Sequence, residues 1–305
     1  MSEVVARLLF LLISAFARLP WPWLRALGDA IAWLWWRSGG RESVVAGRNL
    51  ELACPELLPG QREILQREIL RTTARQTFET LRLWTRPHAE NLRLIRETQG
   101  VALFDAAIAS GKGVIVAAPH YGNWELLNQW LAAHTPLAIL YRPPDSALGE
   151  AFLRQVRADD GDRVAQIRAE AAGIRQLFKR LRDGGVVGIL PDQQPKRGDG
   201  EFAPFFGKPA YTMTLLPRLA ERSGATVLFA YCERIGDQAF ALRFEPAPDA
   251  IASSDTLVAT AALNAAVERI ARRSPAQYQW TYKRYTLQPS LNPYHNPYRD
   301  LEGRA

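Results

Sequence analysis

His120 and Glu125 are the pair whose types and spacing could do chemistry; they sit in the stretch from Gly113 to Glu125. An imidazole can take a proton from a hydroxyl while a carboxylate on its other nitrogen orients the ring and stabilises the imidazolium that forms. Glu125 is the carboxylate expected in that role. Five residues is an awkward separation within a continuous helix, where partners lie three or four apart. A loop-to-helix turn through Gly122 removes the difficulty. The plainer reading is a loop histidine beside a first-turn glutamate favoured by the helix dipole.

The elements around the pair give it a place. Val114 to Ala118 is continuously apolar, as a strand buried on both faces would be. Pro119 ends it. Asn123 can cap the next helix, Trp124 to Ala133, and is counted among the candidate substrate-binding residues. Strand and helix then alternate: strand 137–141, helix 148–158, short strand 164–167, helix 171–182 and strand 186–190. This spacing predicts an α/β fold with a mainly parallel central sheet flanked by helices. The corners at His120, at Tyr141 and Arg142, and at Asp192 and Gln193 would gather along one strand-end edge, where open α/β sheets place their sites. Upstream, residues 42–100 read as helical, including a segment over 89–98. Downstream, 196–207 reads as a loop, 211–222 as a helix, 227–231 and 239–244 as strands, and 256–273 as an amphipathic helix.

The 305 residues carry a net charge of +7, which favours an anionic partner. Cys54 and Cys232 form no metal-spaced cluster and no disulfide framework. Four histidines in all make a multi-histidine metal site implausible. Glycine-rich nucleotide loops are absent, and so is a Gly-x-Ser-x-Gly elbow. A nucleic-acid role rests only on charge and on the aromatic-basic run 278–285, and no nucleic-acid motif supports it.

The N-terminus is of another kind. Leu8 to Ile13 is uninterrupted apolar sequence, and a second run spans Ala26 to Trp36. Trp21, Trp23, Trp33, Trp35 and Trp36 are five of the chain's nine tryptophans. Pro20 and Pro22 should split the region into two helices. Neither run reaches the roughly 20 apolar residues of a secure span. Tryptophan enrichment suits a headgroup region, so residues 1–40 are expected to form a membrane-associated helical region and 41–305 the catalytic domain with a helical first part. A helical layer packed on that domain is the alternative.

From His120 to Glu125 the chain resembles the bacterial late acyltransferases of lipid A biosynthesis, within the glycerolipid acyltransferase superfamily. Further marks are Arg48 to Glu56, Tyr141 to Pro143, Asp192 with Gln193, the aromatic loop Phe202 to Gly207, and Gln277 to Tyr285. The resemblance implies a glycerolipid-acyltransferase-like fold and transfer of a fatty acyl group from acyl carrier protein to a hydroxyl of a lipid A precursor. It also implies an inner-membrane enzyme whose catalytic domain faces the cytoplasm, with no metal or covalently bound cofactor. Acyl carrier protein and the anionic glycolipid acceptor are both acidic, in keeping with the basic chain. Arg142, Arg163 and Arg197 are candidate contacts to phosphate or carboxylate. Asp192 would orient one of them or fix its loop, with Gln193 beside it. Phe202, Phe205 and Phe206 would line the acyl route, with ordinary core packing as the alternative. The chain departs from the family between Pro144 and Arg163, the segment expected to read the acceptor. That leaves open an acyltransferase acting on another lipid or pigment hydroxyl, and also a noncatalytic adaptor that binds anionic lipid.

Overall fold

A computed structural model describes residues 2–141, 146, 149–150, 152, 163–290 and 295–301. The chain opens with α1 (Ser2–Ala17) and α2 (Trp21–Ser38). Proline at the first turn of α2 starts that helix without losing a needed donor. The axes of Arg7–Ala17 and Trp21–Ser38 differ by 104°. Among the described residues no single helix is long and apolar enough to cross a membrane; the bent pair passes by length and composition only when taken together. Leu8, Leu11, Leu12, Trp23, Trp33 and Leu34 are exposed on it.

Next come α3 (Arg41–Ala53), α4 (Pro59–Thr85) and the short α5 (His88–Leu92). Helix α2 lies along α4, and Asp29 accepts two hydrogen bonds from Arg75, each 2.6 Å. The helix expected over 89–98 stops at Leu92. The chain then forms β1 (Ile95–Gln99), a sheet edge paired in parallel with β9 (Ala239–Pro246). Sheet pairing here overrides a composition that favours helix.

The remaining strands are β2 (Val114–Ala117), β3 (Leu137–Tyr141), β4 (Val164–Arg168), β5 (Val186–Ile189), β6 (Gly200–Phe205), β7 (Lys208–Met213) and β8 (Thr226–Gly236). Among them lie α6 (Val101–Ala109), α7 (Trp124–His134), α8 (Ala171–Arg182) and α9 (Leu215–Ser223); α10 (Thr256–Arg273) follows β9. The main sheet has the order β1-β9-β8-β2-β5-β3-β4. From β8 to β4 its strands are parallel, and β9 runs antiparallel to β8. The mainly parallel sheet expected from the alternation is therefore present. Strands β2 and β5 are buried along their whole length. Their side chains alternate between two cores: Ile115, Ala117, Val187 and Ile189 join one, and Val114, Val116 and Val186 join the other. The first core also takes residues of α3, α8, α9 and α10, and the second takes residues of α6 and α7.

Two further local expectations change. The segment 196–207 contributes β6 to a two-stranded hairpin with β7, so Tyr211 to Met213 are strand and the helix starts only at Leu215. Phe206 and Gly207 both have positive φ, 49° and 70°, as a two-residue turn between twisted strands requires. The expected helix over 148–158 lies largely outside the described residues.

Beyond α10 the chain crosses the sheet's strand ends as irregular segment 278–285, held by a helix far away in sequence. Asn49 on α3 donates to the carbonyls of Trp280 and Tyr282 at 2.6 and 2.8 Å, and accepts from the Tyr298 hydroxyl. Asn49→Ala leaves these groups unsatisfied. It should lower stability by about 2–4 kcal/mol, read as a fall in denaturation midpoint against wild type.

Candidate active site

His120 leaves the end of β2 in a loop tied down on both sides. Gly122 N–H donates to Gln277 O at 3.1 Å, Asn123 N–H to Cys232 O at 2.8 Å, and Gln279 N–H to His120 O at 3.0 Å. Gly122 has φ of +62°, and a Cβ there would lie 2.0 Å from Cys232 O. Only glycine fits that approach. The Tyr121 hydroxyl, beside it, donates to Glu233 at 2.6 Å.

The carboxylate on the imidazole belongs to Asp192, just beyond β5. His120 Nδ1 lies 2.8 Å from Asp192 Oδ1, and the His120 backbone N–H donates to Oδ2 at 3.0 Å. Asp192 thus stands where Glu125 was expected, and of its two expected roles, orienting an arginine or fixing its loop, its hydrogen bonds here are to the His120 loop. Parallel neighbours explain it: Ala117 of β2 is paired with Ile189 of β5, so residues three beyond each arrive side by side. Burial alone would raise the Asp192 carboxyl. The His120 charge and the hydrogen bonds from its side chain and backbone outweigh burial and hold the group below its ordinary value. Tyr278 lies near the same carboxylate; burial first, then the Asp192 charge, push its hydroxyl well above the usual range.

An ionised Asp192 puts the proton of a neutral imidazole on Nδ1, which leaves Nε2 as an acceptor. Gln193 Nε2 lies 3.2 Å from His120 Nε2 and 3.1 Å from Gln279 Oε1. The carboxylate thus sets the order of donors along Asp192, His120, Gln193 and Gln279. Trp124 holds the other side of the ring edge-on, with centroids 5.0 Å apart.

His120 lines a cleft of about 1040 Å³. Its walls include Ile139, Leu140, Ile174, Phe178, Leu190, Met213 and Leu215, with Glu125, Asn128 and Gln193 near His120. Lys196, Arg218 and Arg222 stand in the lining with Glu170 and Asp199. The cleft therefore joins apolar walls, the His120 imidazole with Gln193 at its Nε2, and charged groups of both signs.

The other candidates divide. His120, Glu125 and Gln193 line the cleft. Asn123 is fully buried; it caps α7 through Leu126 N–H at 3.1 Å and donates to Glu79 at 3.3 Å. It shapes the loop from behind and does not line the cleft. Arg163 sits at the opposite sheet edge: its carbonyl accepts from Leu137 N–H at the start of β3, and its guanidinium donates to Ala133 O. The strand length alone separates it from the His120 end by roughly 13 Å. Arg197 is exposed beside Lys196 but is not part of the cleft lining. Phe205 and Phe206 are core residues packed on Tyr278, Tyr285 and Trp280, and Phe202 packs on Tyr211; none lines the cleft. Arg142 and most of the 144–163 segment lie outside the described residues.

Sequence reasoning missed Gln279, Arg218 and Arg222. The arginines were legible as an i,i+4 pair on one helix face; Gln279 gave no signal beyond its place in the aromatic run. Burial raises both thiols, Cys54 to about 11 and Cys232 further, so neither is a thiolate nucleophile near neutral pH. Among the described residues no three His, Cys, Asp or Glu side chains group as metal ligands.

The sequence model of a family described as "Bacterial lipid A biosynthesis acyltransferase" matches residues 2–286. The chain is 28% identical to the lipid A biosynthesis palmitoleoyltransferase of Escherichia coli over 90% of its own length and 88% of the relative's. It is 26% identical to the lipid A biosynthesis lauroyltransferase of the same organism, covering 89% and 88%. It is 30% identical to a phosphatidylinositol mannoside acyltransferase of Mycobacterium tuberculosis, over 53% of this chain and 52% of that one.

The close approach at Gly122 generates a direct test. Gly122→Ala should cost about 2 kcal/mol or more, because the strained φ and the clash with backbone oxygen act together. Thermal denaturation should show it; an unchanged midpoint would remove the argument for the pinned loop.

Proposed function

Because the chain belongs to the bacterial lipid A biosynthesis acyltransferase family, we propose that it transfers a fatty acyl group from acyl carrier protein to a hydroxyl of a lipid A precursor, with His120 as general base. The observation that carries this reading is the His120–Asp192 pair, with His120 in the lining of a cleft of about 1040 Å³ that has apolar walls.

In the reaction the acceptor hydroxyl takes the place of the Gln193 amide at Nε2. Its oxygen attacks the thioester carbonyl as its proton passes to Nε2. Asp192 holds Nδ1–H and stabilises the imidazolium. Glu125, in the same cleft wall, adds a second negative charge that favours it. The oxyanion needs donors, and the displaced Gln193 amide is near enough to be one. Collapse breaks the carbon–sulfur bond, and His120 returns the proton to the leaving thiolate. The products are an ester and the free carrier thiol. No residue-bound acyl intermediate is invoked, since both cysteines are buried and protonated.

The apolar walls suit an acyl chain, while Lys196, Arg218 and Arg222 suit an anionic acceptor or carrier. The relative named as a phosphatidylinositol mannoside acyltransferase supports a second reading, in which another glycolipid hydroxyl is the acceptor. The exposed leucines and tryptophans of α1 and α2 support attachment to a membrane; the inner membrane, with the cleft on its cytoplasmic side, is part of the same proposal.

Mass spectrometry of products from defined acyl carriers and several acceptors tests the reaction. His120→Ala should abolish transfer, and a retained wild-type rate would sink the mechanism. Asp192→Asn should lower kcat by roughly 10²–10⁴-fold with little change in carrier KM, a larger loss than Glu125→Gln. A wild-type protein that transfers nothing to any acceptor would favour the adaptor reading. For the membrane, replacing Leu11 and Leu12 together with glutamine should release the protein from vesicles containing anionic lipid. Flotation measures this, and undiminished co-flotation argues against attachment through α1.

A further inference from the structure

Arg82 on α4 is nine-tenths buried, and its Nη1 has no hydrogen-bond partner. Its guanidinium faces the Trp21 ring at 5.5 Å. Arg86, one turn later, has no salt bridge among the described residues. Together with Trp21, Asn123 and Gln238 the two arginines line a small cavity of about 20 Å³, behind the His120 loop and separate from the large cleft. That volume accepts one or two oxygen-sized groups.

Neighbouring carboxylates do not answer this charge. Glu79, in the same wall, is held by Arg234 through Nε at 2.9 Å and through Nη2, and receives the Asn123 amide at 3.3 Å. Asp237 accepts from Trp21 Nε1 at 2.6 Å and from Arg25 at 3.0 Å. Four arginines, at 25, 82, 86 and 234, thus share two committed carboxylates. A buried cation without a partner is costly. Burial first, and Arg86 second, lower the Arg82 pKa, the direction expected where an anion is wanting. Guanidinium forks match the oxygens of a phosphate group. The cavity also sits at the foot of α2, near exposed Trp23 and Leu27.

We propose that Arg82 and Arg86 form a second binding site, for a phosphate group, either free or on a lipid headgroup. The site does not depend on the acyl-transfer reading.

The test is thermal denaturation of the full-length protein in neutral detergent, with inorganic phosphate, with dihexanoyl phosphatidic acid, and with chloride at matched ionic strength. A phosphate-bearing probe should raise the midpoint by roughly 2–4 °C beyond chloride. The rise should vanish in Arg82→Met. Without probe, that variant should melt no lower than wild type, because it removes an unpaired buried charge. Arg86→Gln, at a partly exposed position, should weaken half-saturation about tenfold and carries the test should Arg82→Met not fold. Stabilisation by both probes means that the phosphate group alone suffices; stabilisation by the lipid alone identifies a headgroup. A rise no greater than chloride's, or an undiminished response in whichever variant folds, overturns the proposal.

Discussion

Asp192 carries its charge where almost no water reaches it, at 4% exposure. Such a charge is sustained only when hydrogen bonds and an opposite partner answer it. Here one oxygen meets His120 Nδ1 and the other meets the His120 backbone N–H. Both contacts require the ends of β2 and β5 to remain adjacent and level. The parallel register Val114 with Val186 through Ala117 with Ile189 supplies that constraint. The site's geometry is therefore a property of the sheet first and of the loop second.

The loop still has to reach the carboxylate, and distant parts of the chain hold it there. Backbone bonds from Gly122 and Asn123 anchor it to Gln277 and to β8. Behind it, Glu79 of α4 joins the Asn123 cap to Arg234 of β8. The segment carrying Tyr278 and Gln279 is in turn fixed through Asn49 of α3. Helices α3 and α4 thus position His120 by way of buried polar contacts, where each unsatisfied group would cost more than a surface bond returns.

Charge and apolarity are distributed to match. Apolar walls fill the cleft, and cations from α9 and the β5–β6 connection join its lining. A separate surplus of guanidinium lies beneath the apolar helix pair. Cations stand at two places: Lys196, Arg218 and Arg222 in the cleft lining beside Glu125, Glu170 and Asp199, and Arg82 and Arg86 in the small cavity.

The parallel sheet, the strand-end position of His120, the cap at Asn123 and the break between the first two helices were legible in the sequence. Each follows from local facts: apolar period, proline, glycine and capping side chains act over a few residues. The partner of His120 was not legible. Glu125 is near in sequence and Asp192 is far, and only the pairing of β2 with β5 decides which carboxylate reaches Nδ1. The same limit misplaced Arg163, which strand direction puts at the other edge, and Phe205 and Phe206, which the β6–β7 hairpin turns into the core. The amino-acid sequence by itself determined which chemical groups were available and roughly which elements bear them. Tertiary structure alone decided which groups meet, because strand order and register act between residues that no local pattern connects.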